Sequence, residues 1–251
     1  MKASRRTLRN NSGHVDVSVI VPAYNEEKYI RKALQSIARQ KTKLKYEIIV
    51  SDGRSADRTV RIAERYADRI VTSRKKGIWA GRNAGAAVAR GKLLVFIDAD
   101  TTIPPEFVES VHAAMHDRRI TGMSCGFKFD QHTRPLRALE ALSNHYLYLL
   151  GGLGKGELQG FNCVMRKSDF LRVGGFPNKP LEDGAMARKL QKIGRVVFFP
   201  AVKVTTSARR MLKGGMLRSI QYYTDLEIMT YLPAGSPFHR IVRHKGYHPL
   251  R

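Results

Sequence analysis

Cysteine is scarce in this sequence: Cys125 and Cys163 are the only two in 251 residues. They are too few and too isolated for a disulfide framework or a cysteine zinc site. Long apolar runs are missing as well. The longest, 17–23 and 93–97, fall far short of the ~20 residues a membrane-spanning helix needs. Residues 1–15 are basic and polar with no apolar segment behind them, so no secretory leader is read there. A reducing, cytoplasmic location is expected. No Gly-x-Gly-x-x-Gly follows the first expected strand and no Walker loop occurs anywhere, which excludes phosphate cradles of those kinds.

Acidic residues are also in short supply. There are 21 Asp and Glu against 45 Lys and Arg, a formal net charge of +24. Such a chain seeks polyanions: nucleic acid, an anionic membrane face or phosphate-bearing substrates. The stretch 184–224 carries nine basic residues and no acidic one, and Lys2, Arg5, Arg6 and Arg9 add to the N-terminal tail. A solvated basic surface is the plain alternative.

What is present is an alternation of short β-branched runs with helical spacing. Strands are expected at 17–21, 46–50, 69–72 and 93–97, and helices at 26–39, 57–66 and 79–89, with Asp57 as an N-cap. This order predicts an α/β fold with a mainly parallel sheet flanked by helices. Beyond Asp100 the pattern is mixed: helices at 105–115, 136–150, after Glu182-Asp183 and at 215–231, and strands near 123–129, 162–166, 196–199 and 202–205. Ligands of an open parallel sheet lie beyond the carboxyl ends of its strands. Three polar clusters fall there: Pro22-Ala23-Tyr24-Asn25-Glu26, Asp52-Gly53 and Asp98-Ala99-Asp100.

Side chains alternate along a strand, so Asp98 and Asp100 are expected on one face with Ala99 turned away. Two carboxylates that close call for a cation, and oxygen ligands suit Mg²⁺ or Mn²⁺. Asp is also common in strand-end turns. A diphosphate would find basic partners in Arg82 or in the stretch around Arg209, Arg210, Lys213 and Arg218. Asp52 is placed to accept a base N–H, or simply to form an Asp-Gly turn. Glu182 and Asp183 open an expected helix, where acids are favoured by the dipole; as a functional pair they offer a general base.

Val17–Asn25 (VSVIVPAYN), 49–53 (IVSDG), 80–91 (AGRNAGAAVARG) and 96–100 (FIDAD) resemble, in order and spacing, the family-2 glycosyltransferases of the GT-A fold. Gly160-Phe161-Asn162, Gly174-Gly175-Phe176 and Leu181-Glu182-Asp183 are similar to that family's acceptor-side segments. The resemblance implies a single GT-A, Rossmann-like domain, a UDP- or GDP-sugar donor, a divalent metal and inversion at the anomeric carbon. Carried over by position, Pro22, Ala23, Tyr24 and Glu26 border the nucleoside and Asp52 meets the base. Asp98 contacts ribose or metal, and Asp100 holds the metal. Asp183 deprotonates the acceptor with Glu182 assisting. Arg209 and Arg210 grip the leaving diphosphate or an acceptor phosphate. Ser51 stands where the family usually has a first Asp, and the Gln-x-x-Arg-Trp motif of processive synthases is missing, Trp79 being the one tryptophan.

The expected organisation is a basic tail at 1–14, a GT-A domain at 15–205 and a basic helical extension at 206–251. Within the domain, 15–103 is the nucleotide-sugar half and 104–205 a mixed acceptor-side half. The acceptor is a hydroxyl, lipid-linked or on a glycan. The apolar stretch 136–153 reads as a core helix; with the basic surface, peripheral contact with an anionic membrane at the inner face is the alternative. A retaining transferase on the same fold is the enzymatic alternative. A nucleic-acid-binding module is the alternative of another class. No nucleic acid is expected, since binding motifs are absent and the acidic clusters would repel a phosphate backbone. His112 and His116 have zinc-ligand spacing but no third partner in the sequence pattern.

Overall fold

The structure is a computed structural model that describes residues 13–221 and Asp225. β1 (Val17–Ala23) and β2 (Tyr46–Asp52) are buried at every position, as strands covered on both faces require. Between them α1 (Ile30–Ala38) turns Ile30, Ala33, Leu34 and Ile37 to the core at helical spacing. Then come α2 (Thr59–Ala63), β3 (Arg69–Thr72), α3 (Ile78–Val88), β4 (Leu93–Ile97) and the two-residue β5 (Thr101–Thr102). The second half supplies α4 (Phe107–Ala114), β6 (Ile120–Phe129), α5 (Arg134–Gly152), β7 (Asn162–Arg166), α6 (Lys167–Arg172), α7 (Glu182–Gln191), β8 (Arg195–Thr206) and α8 (Arg209–Gly214).

All eight strands form one sheet in the order β3-β2-β1-β4-β7-β6-β8-β5. The first four are mutually parallel, with Val19 opposite Ile48 on one side and Val95 on the other. β7 then runs antiparallel to β4 and to β6, β8 runs parallel to β6, and β5 antiparallel to β8. The expected parallel half and mixed half are therefore both present, joined into a single α/β sheet. One core lies between the sheet and α1, α4 and α5, and the other between the sheet and α3, α6 and α7. On the second side α3 sits so close to β1 that a Cβ on Gly85 would run into Ile20.

Several boundaries differ from expectation. The first helix starts at Ile30, because 24–27 is held in a turn by the neighbouring loop: Asn25 N–H donates to Ser55 Oγ (2.9 Å) and Glu26 N–H to Thr59 Oγ1 (2.8 Å). Asp57 lies one residue before the cap of α2 and accepts N–H groups from both Thr59 and Glu27. The two strands expected at 196–199 and 202–205 are one, with a register shift that carries Pro200; a residue without an N–H is accommodated at such an irregularity. Of the helix expected at 215–231, residues 216–221 are helical and most of the remainder lies outside the described residues, as do 1–12 of the N-terminal tail.

Candidate active site

The crevice between β1 and β4 is a topological switch point, since the chain leaves β1 toward β2 and β3 and returns on the other side at β4. At its carboxyl end the expected strand alternation does not apply to the acidic pair. β4 stops at Ile97, and Asp98-Ala99-Asp100 forms a turn closed by Thr101 N–H to the Asp98 carbonyl (3.0 Å). The turn still holds the two carboxylates within electrostatic reach. Burial, and then the Asp98 charge, push the Asp100 carboxyl up to about 6, against the downward pull of Arg209 and Arg210.

Each carboxylate of the pair has its own arginine. Asp100 meets Arg209 Nη2 at 3.0 Å. The same guanidinium donates to both oxygens of Glu26, at 2.7 and 2.6 Å, and stacks over the Tyr29 ring at 4.5 Å. β5 makes this possible. Thr101 pairs with Thr206, side chain to side chain at 3.0 Å, and three residues past Thr206 the first turn of α8 delivers Arg209.

Asp98 pairs with Arg82 Nη2 at 3.1 Å, and Arg82 Nη1 donates to Glu182. Arg82 is 1% exposed, its Nε has no hydrogen-bond partner, and its guanidinium lies 5.3 Å from the centre of the Phe176 ring. It therefore ties the Asp98–Asp100 turn to the start of α7. The space exists because residue 160 is glycine: a Cβ there would collide with the guanidinium. Asn83, the next residue of α3, clamps Phe176 by donating to its carbonyl (2.8 Å) and accepting its N–H (3.0 Å).

α7 opens with Leu181 in the left-handed region (φ 48°), a conformation that non-glycine residues adopt at a cost and that recurs at functional turns. Asp183 then accepts the N–H of Gly160 at 2.8 Å and that of Gly184 at 2.9 Å. Burial raises the Glu182 carboxyl above the ordinary glutamate range, with Arg82 opposing the shift. Both acids also occupy the first turn of α7, where the dipole favours them.

At the carboxyl end of β1, Pro22 and Ala23 close the strand and Tyr24 stands partly exposed at the rim beside Gly53. Asp52 is 4% exposed and its carboxylate accepts the N–H groups of Arg54 (3.0 Å) and Ser55 (3.1 Å). It acts here as the organiser of its own turn. The Ser51 hydroxyl is buried beside it without a partner. Tyr29, Asn83 and Gly160 were not assigned site roles from sequence. Tyr29 reads there as one more apolar position of a helix, and the others carry their role through contacts far along the chain.

In a strongly basic chain this crevice gathers Glu26, Asp98, Asp100, Glu182 and Asp183 around Arg82 and Arg209. Among the described residues no group of three or more His, Cys, Asp or Glu is arranged to hold a metal by itself; His112 and His116 make only an edge-to-face ring contact at 5.0 Å. Mg²⁺ and Mn²⁺ sites of nucleotide enzymes need no such cage, because one or two carboxylates share the ion with substrate phosphates and water. Asp98 and Asp100 fit that requirement: hard oxygen donors held in one tight turn, where burial and then the charge of Asp98 raise the Asp100 carboxyl.

Residues 18–174 match the sequence profile of the family described as Glycosyl transferase family 2. Glycosyltransferase AglE of Haloferax volcanii is 34% identical over 178 residues, covering 67% of this chain and 58% of that protein. The poly(ribitol-phosphate) beta-N-acetylglucosaminyltransferase TarS of Staphylococcus aureus is 35% identical over 103 residues, 38% of this chain and 18% of its own. The chain thus spans less than two thirds of the length of these relatives. Among solved structures, the mannosyltransferase PcManGT of Pyrobaculum calidifontis, in complex with GDP-Man and Mn²⁺, superposes with a TM-score of 0.67 at 23% identity, covering 94% of this chain and 70% of that one. S. aureus TarS 1–349 in complex with UDP-GlcNAc gives 0.61 at 21%, covering 92% and 71%. The fold expected from sequence is the fold these proteins share.

Proposed function

The chain belongs to glycosyl transferase family 2, and from that premise we propose that it transfers one sugar from a UDP- or GDP-sugar to a hydroxyl acceptor, with inversion at the anomeric carbon. The observation that carries this reading is the Asp98–Asp100 turn at the switch point, with Arg209 held against Asp100 and Glu26. Asp98 and Asp100 would hold Mn²⁺ or Mg²⁺, which when bound neutralises the diphosphate of the donor. Pro22, Ala23, Tyr24 and the turn organised by Asp52 border the nucleoside. Arg209, released from the carboxylates it now bridges, and Arg210 beside it face the leaving diphosphate. Arg82 keeps Asp98 and Glu182 in register across the crevice.

Asp183 is the general base that takes the acceptor proton. Its oxygens each accept one backbone N–H, which fixes their direction and leaves further lone pairs free, since a carboxylate has about four acceptor sites. Glu182 assists by holding Arg82. Replacing Asp183 with Asn removes the basicity and keeps one of those two bonds, since the amide has a single acceptor oxygen. Turnover should fall by about 10²–10⁴-fold with little change in donor KM. Near-normal turnover would instead favour the retaining alternative, in which no acceptor base is needed.

The acceptor is read as lipid-linked. α5 buries Leu136, Leu147 and Gly151, while Leu142, Tyr146, Leu149 and Leu153 project from its other side, exposed by 52–74%. No described helix is long and apolar enough to cross a membrane. An apolar stripe on a strongly basic protein fits peripheral contact with an anionic bilayer. Calorimetric titration with UDP, GDP, CDP and dTDP, in Mn²⁺ and in EDTA, tests the donor side. One nucleotide should bind with metal only, and the Asp100→Ala chain should not bind it. Binding of none of them, or equal binding in EDTA, would overturn the reading.

A further inference from the structure

A cavity of about 580 Å³ opens at the other end of the sheet, where β1 and β4 begin and β7 ends. The five residues of β4 separate it from the candidate active site, ~17 Å at about 3.3 Å per residue. Its floor is apolar, formed in part by the buried side chains of Leu93 and Met115. Its walls are cationic: Arg90, Lys92, Arg118, Arg166 and Lys167 line it, with Asp16 as the single acidic lining residue.

The cations divide into two kinds. Three are fixed in place. Arg166 donates to the carbonyls of Met115 (2.5 Å) and Asp117 (2.8 Å) and meets Asp169 at 3.3 Å. Lys167 Nζ donates to the Ala89 carbonyl (2.7 Å), and Arg90 Nε to the buried Glu47 (3.0 Å). Carboxylates offset the charge of Arg166 and Arg90, whereas the carbonyl partner of Lys167 orients that cation without cancelling its charge. The other two, Lys92 and Arg118, are exposed, and their side chains have no partner among the described residues. Asp16 does not offset them fully: it accepts the Lys45 N–H at 2.8 Å and pairs with His14 Nε2 at 2.8 Å.

We propose that this cavity binds a small phosphorylated molecule, a phosphate on a body of about sugar size, separately from the donor site. Its volume is that of a small-molecule pocket and not of a groove for a polymer. Pre-oriented positive charge concentrates an anion at the site. Lys92 and Arg118 both line the cavity, and an ammonium and a guanidinium are each suited to phosphate oxygens. The apolar floor leaves room for the carbon body. Nothing in this depends on the transfer reaction proposed above.

Glucose 6-phosphate, with inorganic phosphate as the body-less probe, is titrated into the chain in EDTA and followed by calorimetry and by the methyl resonance of Met115. One saturable site is expected, tighter for glucose 6-phosphate. In Lys92→Ala/Arg118→Ala, affinity should drop at least tenfold. Both side chains are exposed, so the variant should keep its fold, which its melting curve checks. In Arg209→Ala/Arg210→Ala, affinity should be unchanged and the Met115 shift retained. Loss of binding in the second variant with no effect in the first would assign the anion to the active site and overturn the proposal. Non-saturable binding that follows only salt concentration would reduce it to diffuse attraction by net charge and overturn it equally.

Discussion

Arg82 keeps its charge while almost wholly buried because two carboxylates face it and pull its pKa upward against the cost of burial. Asp100 shows the opposite balance. Its ordinary carboxyl value of 3.8 is raised to about 6, chiefly by burial and by Asp98. A raised acid binds more protons folded than unfolded, so the folded state loses stability as pH climbs from about 4 to 6 and stays at that disadvantage above. Two pH units correspond to about 3 kcal/mol, a net figure that already contains the opposing pull of Arg209. In metal-free solution Asp100→Asn should therefore melt several degrees higher than the wild type at pH 7.5 and level with it at pH 4. Added Mn²⁺ should raise the wild-type melting temperature and leave the variant's unchanged. Thermal melts across pH with and without Mn²⁺ check both. A variant that melts lower at pH 7.5 would mean that the ion pair with Arg209 outweighs burial.

Between elements, the site is assembled by two short connections. β5 contributes two residues, and its pairing of Thr101 with Thr206 brings the start of α8 over the crevice. α3 contributes Arg82 and Asn83 and so fastens the start of α7 and the loop at 176 to the parallel half. Gly160→Ala tests the second connection. The new Cβ would push the Arg82 guanidinium away from Asp98 and Glu182, leaving buried charges with poorer partners. Stability should fall by on the order of 3 kcal/mol, and turnover should fall with it. A melt and a donor titration on the same preparation check this; an unchanged melting temperature would mean that the arginine has another place to go. In Thr206→Val the hydroxyl contact is lost but the backbone pairing stays, so donor KM should rise while the fold persists.

Across the whole molecule, charge is sorted. Cations cover the surface in excess, giving +24, while five carboxylates collect at one crevice around Arg82 and Arg209. On the proposed reading, that contrast would draw phosphate-bearing ligands to the protein at large and reserve the crevice for those that arrive with a divalent cation. It also bears on membranes. Vesicles rich in anionic lipid should bind the chain at low salt and release it as ionic strength rises, because the attraction is screened within about 10 Å at 0.1 M. Leu149→Asp/Leu153→Asp should weaken that binding at every salt concentration. Neutral vesicles binding equally well, or the variant binding as the wild type does, would remove the membrane from the proposed function. Co-sedimentation measures each case.

The parallel half was readable from the chain because a strand buried on both faces has to be a run of β-branched residues, as 17–21 and 46–50 are, and because the helices between show their core face every three or four residues. The same local rule made the strand-end clusters visible, and with them Asp52, Asp98 and Asp100 as candidates, while Glu182 and Asp183 were legible as acids at a helix start. Local pattern does not carry pairing between distant residues. Nothing near Arg209 in sequence says that it reaches Glu26, 183 residues away, and nothing near Arg82 says that it spans to Glu182, 100 residues on. The turn at Asp98–Asp100, the shared arginines and the order of the last four strands were decided by tertiary structure. A buried charge must find its partner in space, and the sheet, closing through β5 and β8, determines which partners are within reach.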